Sequence, residues 1–109
     1  MNKIPTALRN ELSEDPFYTK CCLKMLGGCN GRIEWHHALI YGGKQYQAKF
    51  CILPACHDHH DMARNTEIKE RFDWVMLNRA TEQEILSISK AINYSWVRDR
   101  LNTKFGQYK

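Results

Sequence analysis

The chain has 109 residues and a mass of 12.9 kDa, the size of one small domain. Hydrophobic residues make up 43% of it and charged residues 26%, which excludes collagen-like, coiled-coil and wholly disordered proteins. The formal charge of +4 suits a polyanionic partner without requiring one. No apolar run approaches the length of a membrane span, and residues 1–10 lack the apolar core of a signal peptide. We therefore expect one cytoplasmic domain, residues 1–109, with no membrane partner.

The first half of the chain predicts one helix, a loop and two strands. A short helix is expected over residues 5–14, where Leu8 and Leu12 lie four apart. Gly-Gly and Asn-Gly turn signals predict a loop over residues 21–31. A strand over 32–40 follows, because its residues alternate in polarity until Gly42-Gly43. A second strand is predicted over 50–53, stopped by Pro54.

The second half of the chain is predicted to be helical. Helices are predicted over residues 56–64, 67–79 and 96–101. A further helix is predicted to begin at a Thr81–Glu84 capping box, and Ile85, Ile88 and Ile92 form its apolar row. We therefore expect an α+β fold with a core of about residues 17–65. A C-terminal helical extension of about residues 66–109 follows this core.

All five cysteines and all five histidines lie between Cys21 and His60. An odd number of cysteines without a secretory signal argues against a disulfide framework. Clustered thiols and imidazoles instead indicate a metal ion, and structural zinc needs four such ligands in a tetrahedron. The candidate zinc ligands, in chain order, are Cys21 or Cys22, Cys29, Cys56 and His59.

The chain has two pairs of adjacent histidines, His36-His37 and His59-His60, and the second contains a candidate zinc ligand. Neighbouring residues on a helix point about 100° apart, so His59 can face the zinc loop while His60 faces the strand that carries His36 and His37. One helix would then serve a closed structural site and an open one. A regular strand sends His36 and His37 to opposite faces, so both serve one site only if the chain leaves the pleat there.

The order of these motifs resembles the HNH endonucleases, the ββα-metal or His-Me finger nucleases, and among them the small phage-encoded type that contains zinc. The resemblance lies in CCLKMLGGC at 21–29, GRIEWHHALIYGGKQ at 31–45 and FCILPACHDHHD at 50–61. It implies a ββα-metal finger with structural Zn²⁺, flanked by N-terminal and C-terminal helices. It further implies an enzyme of the bacterial host's cytoplasm that hydrolyses DNA phosphodiester bonds, by nicking or double-strand cleavage.

The resemblance also implies roles for the histidines. His37 would be the general base, and His36 and His60 would be ligands of a catalytic divalent ion. That ion would be Mg²⁺, or else Mn²⁺, Ni²⁺ or Zn²⁺. A neutral imidazole has a suitable basicity near pH 7 for such a base.

Two positions depart from the family's pattern. The middle Asn of the family falls near Cys51, which accepts hydrogen bonds poorly, and Gln47 is the nearest amide that could orient the base. Arg64 stands one helical turn after His60, where some members have another metal ligand. Because arginine does not bind metals, Arg64 is a candidate for contacting the scissile phosphate.

Further phosphate contacts with DNA are expected from basic residues. These are Lys44, Lys49, Arg98, Arg100 and Lys104.

Three alternatives stay open. Cys56 and His60 could bind zinc, which would leave His57 and Asp61 for the catalytic ion. The chain could be a non-catalytic zinc module with a degraded pocket that binds nucleic acid or protein. It could also be a small helical domain with incidental Cys and His residues.

Overall fold

The computed structural model of the chain describes residues 4–41 and 44–108, and at residues 40, 41, 44 and 45 it describes the backbone only. The fold of these residues is α+β, which confirms the predicted class. The elements in chain order are α1 (Thr6–Glu14), β1 (Ile33–His37), β2 (Ile40–Tyr41), β3 (Lys44–Gln45), β4 (Ile52–Cys56), α2 (His57–Asp61), α3 (Thr66–Arg79), α4 (Glu82–Ile88) and α5 (Tyr94–Phe105). Short 3-10 turns lie at Pro16–Thr19, Lys24–Leu26, Lys49–Cys51 and Met62–Arg64. Among the described helices, none has the length and apolar character needed to cross a bilayer. The predicted break at Gly42-Gly43 lies outside the described residues.

Strands β1 and β4 form an antiparallel pair in which Glu34 lies opposite Ala55 and His36 opposite Leu53. All five residues of β4 are buried, whereas those of β1 are half-buried, so β4 is the inner strand. The chain passes from β4 into α2 without a loop, and α2 contacts both strands. The order strand, strand, helix is the expected one, and its identity with a ββα-metal finger stays a prediction.

The bounds predicted for the second strand, 50–53, are wrong. Residues 49–51 form a 3-10 turn, and β4 continues through Pro54 to Cys56. The carbonyl of Pro54 points away from β1, since it accepts a hydrogen bond from the amide of Cys22 at 2.8 Å. The nitrogen of a strand residue points to the same side as its carbonyl, so the proline removes no hydrogen bond from the β1–β4 ladder.

Local caps explain where the later helices begin. The Asn65 side chain accepts the amides of Glu67 and Ile68 at the start of α3, and the predicted Thr81–Glu84 capping box is present at α4. Helix α5 is longer than predicted because the Asn93 side chain caps it from residue 94 onward. The prediction that Ile92 continues the apolar row of α4 is wrong. That helix ends at Ile88, and Ile92 is 52% exposed.

The main core lies between β4 and the helices α3, α4 and α5. Its fully buried members include Leu53, Phe72, Val75, Met76, Leu77, Ile85, Ile88 and Leu101. A smaller cluster of Leu12, Tyr18 and Ile52 packs α1 against β4. In contrast, every residue from 24 to 32 is exposed. The segment between Leu23 and β1 therefore has no apolar core of its own, and another interaction has to hold it.

Candidate metal centre and histidine clefts

Three thiols surround the imidazole of His59. Its Nδ1 atom lies 3.2 Å from Cys56 Sγ, 3.5 Å from Cys21 Sγ and 3.6 Å from Cys29 Sγ. The four ligand atoms all lie within 4.8 Å of one another, and Cys29 is the exposed member. These four residues could hold a metal ion. The structure thus brings the four predicted ligands together, with Cys21 rather than Cys22 as the first member.

The chain positions Cys56 and His59 by a local turn. Cys56 is the last residue of β4 and the N-cap of α2, where its Sγ accepts the amide of His59 at 3.4 Å. A residue at the N-cap and another three positions later lie side by side at the start of a helix. The Cys-x-x-His spacing therefore brings both ligands to the end of β4.

The adjacent residues Cys21 and Cys22 have different partners. Cys21 Sγ accepts the amide of Leu23 at 3.4 Å and faces His59. Cys22 anchors the segment to β4 through its amide, while its side chain packs into the main core. Burial raises the pKa of the Cys22 thiol, and its Sγ is not one of the four ligand atoms that lie together.

Gly31 fixes the segment that carries Cys29 against α2. Its φ is +81°, a conformation that residues with a side chain rarely adopt, and a Cβ atom would lie 2.7 Å from His57 Cβ. The neighbouring Asn30 carbonyl accepts the amide of Asp58 at 3.4 Å. Only glycine fits this approach, which brings Cys29 to the other three ligands.

A second cluster forms around the carboxylate of Glu34. His60 Nδ1 lies 2.8 Å from Glu34 Oε1, and His57 Nδ1 lies 3.1 Å from Glu34 Oε2. The hydrogen bond with His60, and to a lesser extent that with His57, lowers the pKa of Glu34 to about 2. Glu34 is therefore ionised at neutral pH. Sequence reasoning did not single out Glu34. The signal for it was the two-residue spacing of Glu34 and His36, which places both on one face of β1.

His36 lies between His60 and the core. Its ring centroid is 5.1 Å from that of His60 and 4.4 Å from that of Phe72. Burial lowers the pKa of His36 to about 4, so its imidazole is neutral at pH 7 and keeps a lone pair for a metal. A cleft of about 310 Å³ opens here. We call it the acidic cleft. It is lined by Glu34, His36, His57, His60, Asp61, Ala63 and Arg64.

His37 faces an amide. Its Nε2 lies 3.1 Å from Gln47 Oε1, and the buried Gln47 Nε2 has no partner among the described residues. The structure thus brings together the two residues that were predicted as base and orienting amide, although their roles stay predictions. Cys51, near the position of the family's middle Asn, is fully buried in the core.

His36 and His37 both line a further cleft of about 280 Å³. We call it the lysine cleft. It is lined by His36, His37, Ala38, Leu39, Ala63, Lys69, Asp73, Met76 and Tyr94. The expected departure from the pleat does not occur before His37, which stays in register with Ile52. The two imidazoles reach one cleft because β1 ends at His37, so the cleft opens at the end of the strand.

The predicted phosphate contacts differ in their surroundings. Arg64 is exposed and lines the acidic cleft, next to the predicted metal ligands. Lys49 is paired with Asp15 at 3.0 Å, and Arg98 is paired with Glu82 at 2.7 Å. Arg100 and Lys104 both pair with Glu70, at 3.1 and 2.6 Å. The side chain of Lys44 lies outside the described residues.

None of the four paired cations lines either histidine cleft among the described residues. Their contact with DNA stays a prediction.

The alternative register for the metal cluster does not hold. His59, not His60, lies among the thiols, while His60 contacts Glu34.

No protein-family model, no curated protein and no solved structure matches the chain. The chemistry of the site therefore has to be argued from its own residues.

Proposed function

We propose that the protein is a metal-dependent HNH-type endonuclease that hydrolyses DNA phosphodiester bonds. The observation that carries this proposal is the opposite placement of two adjacent imidazoles. His59 lies among three thiols, and His60 lies in an open cleft beside His36. One short helix thus contributes to a closed site suited to structure and to an accessible site suited to a substrate.

The closed site suits zinc. Zinc binds thiolates at about 2.3 Å and imidazole nitrogen at about 2.0–2.1 Å, so tetrahedral geometry separates nitrogen from sulfur by roughly 3.5 Å. The three distances from His59 Nδ1 to the thiols, 3.2, 3.5 and 3.6 Å, agree with that separation. Three thiols and one imidazole leave no open position, which is typical of a structural zinc site.

The open site suits a catalytic divalent ion held by His36 and His60. Two imidazoles that share an ion have ring centroids roughly 4.5–5.3 Å apart, and these two lie 5.1 Å apart. Glu34 accepts a hydrogen bond from His60 Nδ1, which leaves Nε2 free as the ligand atom. Such an ion, once bound, would stabilise the negative charge that develops on the phosphate.

His37 is the proposed general base. Because Gln47 Oε1 only accepts hydrogen bonds, His37 donates to it from Nε2, and its Nδ1 keeps the lone pair. Nδ1 removes a proton from the attacking water as the new P–O bond forms. The bond to the 3′ oxygen breaks and that oxygen takes a proton from solvent water, which leaves a 5′-phosphate and a 3′-hydroxyl. Arg64, in the acidic cleft, is positioned to contact the scissile phosphate.

A non-catalytic zinc module that binds nucleic acid is the second candidate. The burial of Cys51 favours it, because this residue cannot supply the amide that the family has near that position. The two candidates differ in a cleavage assay. Supercoiled plasmid is incubated with the zinc-loaded protein and Mg²⁺, Mn²⁺ or Ni²⁺, and nicked and linear forms are measured over time.

We expect metal-dependent nicking that falls by roughly 10²- to 10⁴-fold in His37→Ala. The zinc content and melting temperature of this variant should match those of the parent, which would show that it is folded. Nicking that persists in folded His37→Ala would contradict the assigned base. Binding of DNA without nicking under all three metals would favour the module.

A further inference from the structure

The acidic cleft and the lysine cleft meet at His36 and Ala63, which line both. The two clefts therefore adjoin each other at the proposed metal ligand His36. Arg64 supplies a cation on one side of His36, and Lys69 of α3 lines the other side. The proposed reaction gives Lys69 no role.

Lys69 is held by a carboxylate beneath it. Its Nζ lies 2.9 Å from Asp73 Oδ2, one helical turn further along α3. The Asp73 side chain is only 18% exposed, whereas that of Lys69 is 62% exposed. The carboxylate is therefore fixed in the wall of the cleft and the ammonium group stands at its open side. An ammonium group has three donors, so two remain for an anion.

We propose that Lys69 binds a DNA backbone phosphate next to the scissile one, so that the strand runs along the adjoining clefts from Arg64 past His36 to Lys69. This inference rests on the proposed nuclease function and names the path of its substrate. Lys69 is better placed for this contact than Arg98, Arg100 and Lys104, because it lines the cleft that contains both His36 and His37.

The experiment measures DNA binding as a function of salt. A short duplex is titrated with His37→Ala protein in the presence of Mg²⁺ at several salt concentrations, so that cleavage does not interfere. Lys69→Met is added to this background and compared with Lys69→Arg and with Lys90→Ala. Lys90 is exposed and lines neither cleft, which makes it the matched control.

Loss of one phosphate contact lowers the slope of log K against log salt by about 0.9 for duplex DNA. We expect this decrease in Lys69→Met, but not in Lys69→Arg or Lys90→Ala. A merely structural Lys69–Asp73 pair would not change the slope. In the active protein, Lys69→Met should raise the KM for DNA more than it lowers kcat.

The failures of the two proposals are distinguishable. An unchanged slope in Lys69→Met, with a parent protein that nicks DNA, overturns the inference and leaves the nuclease in place. A parent that binds DNA but never nicks it overturns the nuclease, while a decreased slope still supports the Lys69 contact. A protein that does not bind DNA overturns both.

Discussion

Adjacent residues of the same type have different surroundings in this protein. Cys21 and Cys22 are both buried at the main core, yet of the two only Cys21 has its Sγ among the ligand atoms around His59. His59 and His60 likewise separate into the thiol cluster and the acidic cleft. The difference within each pair arises from the backbone, which turns neighbouring side chains in different directions. Single substitutions should therefore separate metal binding from packing.

Cys21→Ser and Cys22→Ser test this separation. We expect Cys21→Ser to lose zinc, since a hydroxyl is a poor substitute for a thiolate ligand. Cys22→Ser should keep about one zinc per chain and lose about 1–3 kcal/mol of stability, because it buries a hydroxyl in an apolar site. Elemental analysis and thermal melting of the two purified variants measure these effects. Zinc loss in Cys22→Ser alone would reverse the assignment.

At the scale of elements, the site depends on where β4 ends and α2 begins. Cys56 closes the strand and caps the helix, and Gly31 allows the segment with Cys29 to reach the first turn of α2. Gly31 and Gly27 both have positive φ, but a side chain would collide with another residue only at Gly31. The two glycines thus allow backbone strain to be separated from crowding.

Gly31→Ala should weaken zinc binding and lower stability by more than Gly27→Ala does. Each substitution carries a strain of about 1–3 kcal/mol, and the first also pushes its Cβ against His57. Competition with a chromophoric chelator measures zinc affinity, and thermal melting measures stability. Equal effects of the two substitutions would show that the approach of Gly31 to α2 does not position Cys29.

Elements set by local interactions could be predicted from the sequence, and those set by distant contacts could not. The helix at residues 66–79 and the Thr81–Glu84 box depend on neighbouring residues. The extension of β4 through Pro54 follows its pairing with β1, which is far away in sequence. A prediction from local patterns therefore ended that strand too early.

The same division applies to the site. The ligands Cys29, Cys56 and His59 could be predicted from their spacing, because short-spaced thiols and imidazoles suit zinc. The spacing of Glu34 and His36 places both on one face of β1, but the contacts of Glu34 and Lys69 depend on how α2 and α3 pack in the folded chain. The pairing of Glu70 and Glu82 with cations of α5 could not be predicted from the sequence either, because these ion pairs form only in the folded chain.

At the scale of the whole molecule, the apolar core and the thiol cluster stabilise different parts. The core joins β4 to α3, α4 and α5, whereas residues 24–32 are all exposed. The cluster connects the residues near 21–29 to the start of α2. A bound zinc could supply on the order of 10 kcal/mol of apparent stability, comparable with the net stability of a whole domain.

Removal of zinc should therefore lower the melting temperature by roughly 20 °C or more, since about 1 kcal/mol corresponds to about 4–8 °C in a domain of this size. Calorimetry before and after treatment with a strong chelator measures the shift. Added Zn²⁺ should restore the original melting temperature, whereas Mg²⁺ should not. An unchanged melting temperature in zinc-free protein would show that the cluster does not stabilise the fold.

The central claim is that His59 and His60 serve two different metal ions. It is tested most directly by measuring zinc content and plasmid nicking in the same preparations of His60→Ala and His57→Ala. His57 is the matched control, because its Nδ1 contacts the same Glu34 carboxylate. The account predicts that both variants keep about one zinc per chain and that only His60→Ala loses nicking. Loss of zinc in His60→Ala, or nicking by it at the parental rate, would contradict the account.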